Sequence, residues 1–224
     1  MADRGGTVPL SAILVAGGRS SRLGGTPKVL LRPREGEART LVETAVDGLL
    51  GLGLPPERVV VVGPPGLPLP ERVRRTREEP PFSGPASALA AGAAALSASP
   101  PGPAAAGAWT LTLACDMPRC RDAARALIEA VEEIEAAEAS TDDPGGSGPP
   151  RGIVLRDRGI VQPLAAAYRS SALEERLAAQ PVVDRSVRGV LGPLWNRERE
   201  VGGLTDDVDT WDDVSRFGLV PGQD

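Results

Sequence analysis

Residues 58–62 (RVVVV) constrain the fold of this chain more than any other segment. Four consecutive β-branched residues leave no polar face, so a strand there must be covered on both sides, as in the interior of a parallel sheet. Residues 11–16 and 109–114 (WTLTLA) read as further strands. Helical patterns lie between them. In residues 40–50, Thr40 suits an N-cap and Glu43 stands three positions on, the pattern of a capping box. Residues 85–96 form an alanine-rich helix that can approach its neighbours closely. Strands alternating with helices predict right-handed crossovers and an α/β chain folded as a three-layer α/β/α sandwich.

The rest of the chain fits around that frame. Val73 falls in a short strand, and residues 121–139 read as a helix whose acids form a solvated face. Residues 140–150 (STDDPGGSGPP) have the composition of a flexible surface loop. Residues 152–155 and 161–168 predict a hairpin turning at 156–159, antiparallel and at one edge of the sheet. Short helices follow at 171–179 and 186–191, and a last one runs from near Thr210 to near Phe217. The 224 residues are 41% hydrophobic but only 3% aromatic. One domain over residues 1–224 is expected, with a core of Val, Leu and Ala.

Composition excludes several kinds of chemistry. The chain has no histidine, which removes Ser-His-Asp and Cys-His catalysis and every His-containing zinc site. Phosphoryl chemistry survives, because it works through positioning, a divalent cation and cationic side chains. Cys115 and Cys120 match no zinc-pair spacing and build no disulfide framework. A net charge of −5 argues against nucleic acid as a partner. No apolar run approaches the roughly 20 residues of a membrane span, and the N-terminus lacks a signal-peptide core. A soluble, cytoplasmic protein, a monomer or weak homo-oligomer away from membranes, is the expectation.

The chemistry concentrates at residues 12–31, AILVAGGRSSRLGGTPKVLL. An apolar strand enters a loop rich in glycine, with Arg19, Arg22 and Lys28 where phosphate charge would sit. Lys28 lies between Pro27 and Val29, so this is no Walker A loop, and Gly17-Gly18-Arg19 does not fit a dinucleotide fingerprint. The pattern A-G-G-x-S-x-R-x-G-x-x-x-K resembles the signature loop of nucleotidyltransferases that join a nucleoside triphosphate to a phosphorylated acceptor. Among them the chain is most similar to the molybdenum-cofactor guanylyltransferases. That resemblance implies a Rossmann-like, mostly parallel sheet of the nucleotide-diphospho-sugar-transferase kind. It also implies transfer of GMP from GTP to molybdopterin, with Mg²⁺ as cofactor.

The resemblance continues in four later segments. In Ala114-Cys115-Asp116-Met117-Pro118, Asp116 follows a strand that reads as central, and it is placed to hold a metal or, more simply, the turn before Pro118. Asp207 and Asp209, two apart in an extended segment, would project to one side and complete a metal site; they could also belong to an acidic loop leading into the last helix. Guanylyltransferases often carry asparagines at these two positions and cytidylyltransferase relatives aspartates. Before Gly84-Pro85, the resemblance makes Glu79, with Glu78 as runner-up, the carboxylate that reads guanine through its N1–H and N2 amino donors. Gln162 stands where the family carries the histidine of an H-P strand, and Arg185 and Arg188 would face an anionic acceptor. The loop amides and small residues Val15, Ala16, Gly17 and Gly18, together with Arg19, Gly63 and Gly84, complete the expected nucleotide site. Lys28, Arg22 and Asp116 are the expected catalytic residues. Three readings stay open: GMP transfer, transfer from CTP or another triphosphate to a different phosphorylated acceptor, and a nucleotide sensor without turnover.

Overall fold

The computed structural model describes residues 8–18, 21–34, 39–98, 107–140 and 149–222. In chain order the elements are β1 (Leu10–Val15), β2 (Arg32–Pro33), α1 (Leu41–Leu50), β3 (Val59–Val62), β4 (Arg74–Thr76), α2 (Pro85–Ser97) and β5 (Trp109–Ala114). Then come α3 (Cys120–Ser140), β6 (Gly152–Asp157), β7 (Ile160–Arg169), α4 (Ser170–Ala178), α5 (Val187–Leu191), β8 (Arg197–Val201), α6 (Trp211–Arg216) and β9 (Leu219–Val220). Seven strands form one sheet in the order β4-β3-β1-β5-β7-β6-β8, and β2 pairs with β9 in a small antiparallel ribbon. Within the large sheet only β7 runs against its neighbours.

Strand alternation sorts the core into two layers. Ala12, Leu14, Val59, Val61, Leu111 and Leu113 pack with Val42, Val46 and Leu49 of α1 and Leu127 and Val131 of α3. Ile13, Val15, Val60 and Val62 pack with Leu89 of α2, Leu173 and Leu177 of α4 and Val190 of α5. All four valines of β3 are fully buried, so the α/β/α sandwich expected from the VVVV run is the fold observed. Thr40 and Glu43 form the expected capping box, each bonding the other's backbone N–H.

Three local readings are corrected. The hairpin of β6 and β7 lies inside the sheet, with β7 hydrogen-bonded to β5 and with β8 as the outer edge. Ser140 closes α3 and does not open a loop, while residues 141–148 of the expected flexible segment lie outside the described residues. The acids of α3 are more than a solvated face: Glu135 accepts from Trp109 Nε1 at 2.8 Å and pairs with Arg169 at 2.6 Å, and Glu138 meets Arg169 at 2.6 Å.

Close packing of the alanine-rich α2 depends on Gly92. A Cβ there would sit 2.5 Å from Ile13 Cγ2 and 3.1 Å from Val62 Cγ2. Gly92→Ala is therefore expected to lower stability by about 1–2 kcal/mol despite alanine's better helix propensity, because overpacking outweighs it. A urea melt checks this; a midpoint equal to or above that of the wild type would show that α2 can shift to make room.

Candidate active site

The site lies at the carboxyl ends of β1 and β5, where an open α/β sheet receives ligands. The backbone of β1 continues past its last residue: Ala16 N–H donates to Val62 O at 2.8 Å, and Cys115 N–H donates to Val15 O at 2.9 Å. The chain then turns into the loop. Gly18 has φ +142°, a conformation that side chains rarely adopt, and among the described residues nothing lies within 4 Å of a Cβ built on Gly17. None of the described atoms demands glycine at 17, and its open side faces the cavity.

Two later turns aim cations back at this point. A 3₁₀ turn over Ser21–Leu23 carries Arg22, and another over Lys28–Leu30 carries Lys28. A small core of Leu23, Leu31 and Leu41 with Val208, Val214 and Leu219 fastens the C-terminal segment against this loop. The result brings together residues far apart in sequence. Lys28 Nζ donates to Asp209 and lies 3.5 Å from Asp116 Oδ2, while Arg22 Nη1 lies 2.9 Å from Asp209 Oδ2. Val208 N–H donates to Asp116 O at 3.1 Å, tying the acidic segment to the end of β5.

Carboxylate oxygens of Asp116, Asp207 and Asp209 all lie within 4.8 Å of one another. Burial raises the Asp116 pKa, and Asp207 raises it further against the opposing effect of Lys28. Burial and then Asp209 raise that of Asp207. Burial opposes the charge on Lys28, but Asp209 and Asp116 outweigh it and raise its pKa, so the ammonium stays charged. Three clustered oxygen donors whose negative charge is only partly offset suit a hard divalent cation.

Two cavities meet here. One, of about 350 Å³, is lined by the Gly17-Gly18 backbone, Arg22, Lys28, Gly63, Glu78 and Phe82 among others. The second, of about 510 Å³, is lined by Gln162, Pro163, Ser186, Arg188, Thr205 and Asp207 among others. Val15, Gly17 and Asp116 belong to both walls.

Of the described residues singled out from sequence, most fall on these walls and three do not. Arg19 lies outside the described residues. Glu79 is exposed and lines neither of the two cavities; its neighbour Glu78 is buried, lines the first, and accepts from Phe82 N–H at 2.9 Å. The structure thus replaces Glu79 with Glu78 as the carboxylate at the cavity, because the turn into Phe82 needs an acceptor and takes the earlier glutamate inward. Gly84 is the N-cap residue before α2, with φ +93°, and packs near Asp184 and Arg185 without lining either cavity. Arg185 is exposed and donates its N–H to Val182 O, outside both cavities, whereas Arg188 lines the second. Gly63 lines the first cavity and is tightly packed; a Cβ there would lie 2.9 Å from Leu67 Cδ1 and 3.1 Å from Ala16 Cβ. Sequence reasoning passed over Arg77, Phe82 and Thr205, which also line the cavities.

Residues 12–194 match the family described as the MobA-like NTP transferase domain, and the chain belongs to that family. No curated protein sequence matches it significantly. Among solved structures, the chain is similar to Rv0371c from Mycobacterium tuberculosis H37Rv, with a TM-score of 0.62 and 21% identity over 95% of this chain and 99% of the other. A complex of the same mycobacterial protein with manganese gives a TM-score of 0.57 at 17% identity, covering 94% and 98%. A nucleotidyl transferase from Methanothermobacter thermautotroptrophicus gives 0.60 at 20% identity, covering 93% and 95%. Among the described residues no helix is long and apolar enough to cross a membrane.

Proposed function

We propose that this enzyme transfers GMP from GTP to molybdopterin carrying molybdenum, forming molybdopterin guanine dinucleotide and releasing pyrophosphate. The observation that supports this reading is the pair of cavities meeting at Asp116, one with phosphate-binding features and the other with an organic acceptor's dimensions. In the first, the backbone from Ala16 to Gly18 binds the triphosphate, and Arg22 and Lys28 offset its charge. Glu78 accepts from the two donors on the guanine edge. In the second, Gln162 and Arg188 orient the acceptor so that its phosphate oxygen attacks the α-phosphorus in line. A new P–O bond forms, the bond to the β-phosphate oxygen breaks, and pyrophosphate leaves with that electron pair.

Asp116, Asp207 and Asp209 would hold Mg²⁺, which when bound adds positive charge against the phosphate oxygens. The manganese complex of the mycobacterial relative is in keeping with a divalent cation. The reading places the enzyme in the cytosol, in keeping with two free, buried cysteines. A second reading, CTP as donor, is favoured by aspartate at both 207 and 209.

Identification of the dinucleotide by mass spectrometry, after incubation with Mg²⁺, GTP and molybdopterin, tests the proposal; its absence alongside a cytosine dinucleotide from CTP would move the assignment. Base choice has its own test. Glu78→Gln keeps an acceptor for Phe82 N–H but loses the anionic pair of acceptors for guanine. Its kcat/KM for GTP is expected to fall about 10- to 100-fold, the worth of a hydrogen bond to a charged group. An unchanged value in steady-state kinetics would remove Glu78 from base recognition.

A further inference from the structure

Asp157 closes β6 and is only 4% exposed. Its carboxylate is filled by donors from a loop more than forty residues later. Gly203 N–H donates to Oδ1 at 2.7 Å, and Thr205 donates to Oδ2 through its N–H at 2.9 Å and its hydroxyl at 2.8 Å. A buried carboxylate is costly without such donors. Burial works to raise its pKa, but these bonds outweigh it and hold the group below the ordinary carboxylate range, as expected of a fully engaged anion.

The next residue extends the grip. Arg158, at φ +49°, makes two 3.0 Å bonds to the carboxylate of Asp206, which also lies 3.4 Å from Arg216. Gly203 takes φ +71°, a conformation that side chains rarely adopt, so the loop can turn there towards Asp157. The gripped residues, 203, 205 and 206, directly precede Asp207 and Asp209. Beyond them the segment is fastened by Val208 N–H to Asp116 O and by the capping box of Thr210 and Asp213.

We propose that Asp157, assisted by Arg158, is a positioning residue that sets the carboxylates of Asp207 and Asp209 against Asp116 and thereby fixes the affinity of the site for a divalent cation. Asp157 touches none of the three aspartates in this role; it acts through the backbone of the loop that carries two of them. The proposal rests on the reading that the three aspartates hold the cation, and the experiment separates the two.

Mn²⁺ is titrated into the purified full chain without nucleotide, and free Mn²⁺ is followed by electron paramagnetic resonance. Asp157→Asn keeps the size of the side chain but points an N–H₂ group at a backbone donor. Its Kd for Mn²⁺ is expected to rise about 10- to 100-fold, the usual effect of losing a group that orients metal ligands. Turnover at saturating Mn²⁺ is expected to recover to nearly the wild-type kcat, a split that general loss of structure would not give. Thr205→Val, which removes one of the three donors, is expected to raise Kd severalfold and decides the matter if Asp157→Asn does not fold. Asp116→Asn is the control. If it abolishes Mn²⁺ binding while Asp157→Asn, or Thr205→Val in its place, leaves Kd unchanged, the positioning role is overturned alone. If Asp116→Asn also binds Mn²⁺ normally, the metal site falls and the positioning role with it.

Discussion

Asp116→Asn is expected to reduce nucleotidyl transfer by about 10³-fold or more, equivalent to roughly 4 kcal/mol of transition-state stabilisation. The side chain sits where the two cavities meet and is the most enclosed of the three clustered carboxylates. Asparagine keeps its shape and leaves the bond from Val208 N–H intact, because that bond ends on the backbone oxygen of residue 116. The fold should therefore survive. A stronger statement follows from the raised pKa of Asp116, which burial causes before any neighbour does. A raised carboxyl pKa means that folding disfavours the ionised form; the penalty is present above the raised value and is relieved as pH falls through it. At neutral pH and without metal the variant should be at least as stable as the wild type. Thermal melts and steady-state rates measured together check both halves. Activity within tenfold of the wild type would remove Asp116 from the reaction, and a large drop in Tm would mean that its role is structural.

Lys28→Met is expected to lower turnover about 10²- to 10³-fold, the effect of removing one preorganised charge from a phosphoryl-transfer site. Here too the geometry gives a second, opposite expectation. Lys28 lies between Asp209 and Asp116 and offsets part of their charge. Without it, among the described residues Arg22 still pairs with Asp209, at the outer end of the trio. A divalent ion then meets less competition, so Mn²⁺ should bind more tightly to a far less active enzyme. Rate measurements with Mn²⁺ titration separate the two effects. Loss of rate accompanied by weaker Mn²⁺ binding would show that Lys28 organises the carboxylates rather than competing for them.

The fold was legible where physical demands are local. Burial on both faces favours unbroken apolar and β-branched runs, so β3 could be read from four valines, and β5 from WTLTLA to the residue. The capping box at Thr40 and Glu43 is a local geometry and was equally plain. The edge strand β8 was not. Its sequence, REREV, has four charged residues in five, because an outer strand with an exposed face needs charge more than apolar pattern. The interior place of β7 was also hidden, since strand order depends on contacts that periodicity does not encode. A hint was available in the unbroken apolar run at residues 164–168 (LAAAY), which an edge strand would not require.

The site shows the same division. Cations and carboxylates clustered in the cavity could be named from their motifs, because phosphate binding asks for those groups in a glycine-rich frame. Glu78 and Glu79 are adjacent and chemically identical, and a turn ending at Phe82 decided which one faces inward. Asp157 was invisible for a different reason. It stands among Arg156, Arg158 and Gly159 in what reads as a charged surface turn, and its three donors come from a segment that only the tertiary fold brings near.

The most direct test of the central claim is pyrophosphate release by the purified protein with Mg²⁺ and molybdopterin, taking GTP, CTP, ATP and UTP in turn. Release with GTP, dependent on molybdopterin and small with the other three, is the result predicted. Release with CTP in place of GTP would leave the chemistry standing and contradict the role given to Glu78. No release with any triphosphate, from protein that binds nucleotide measurably, would contradict the account.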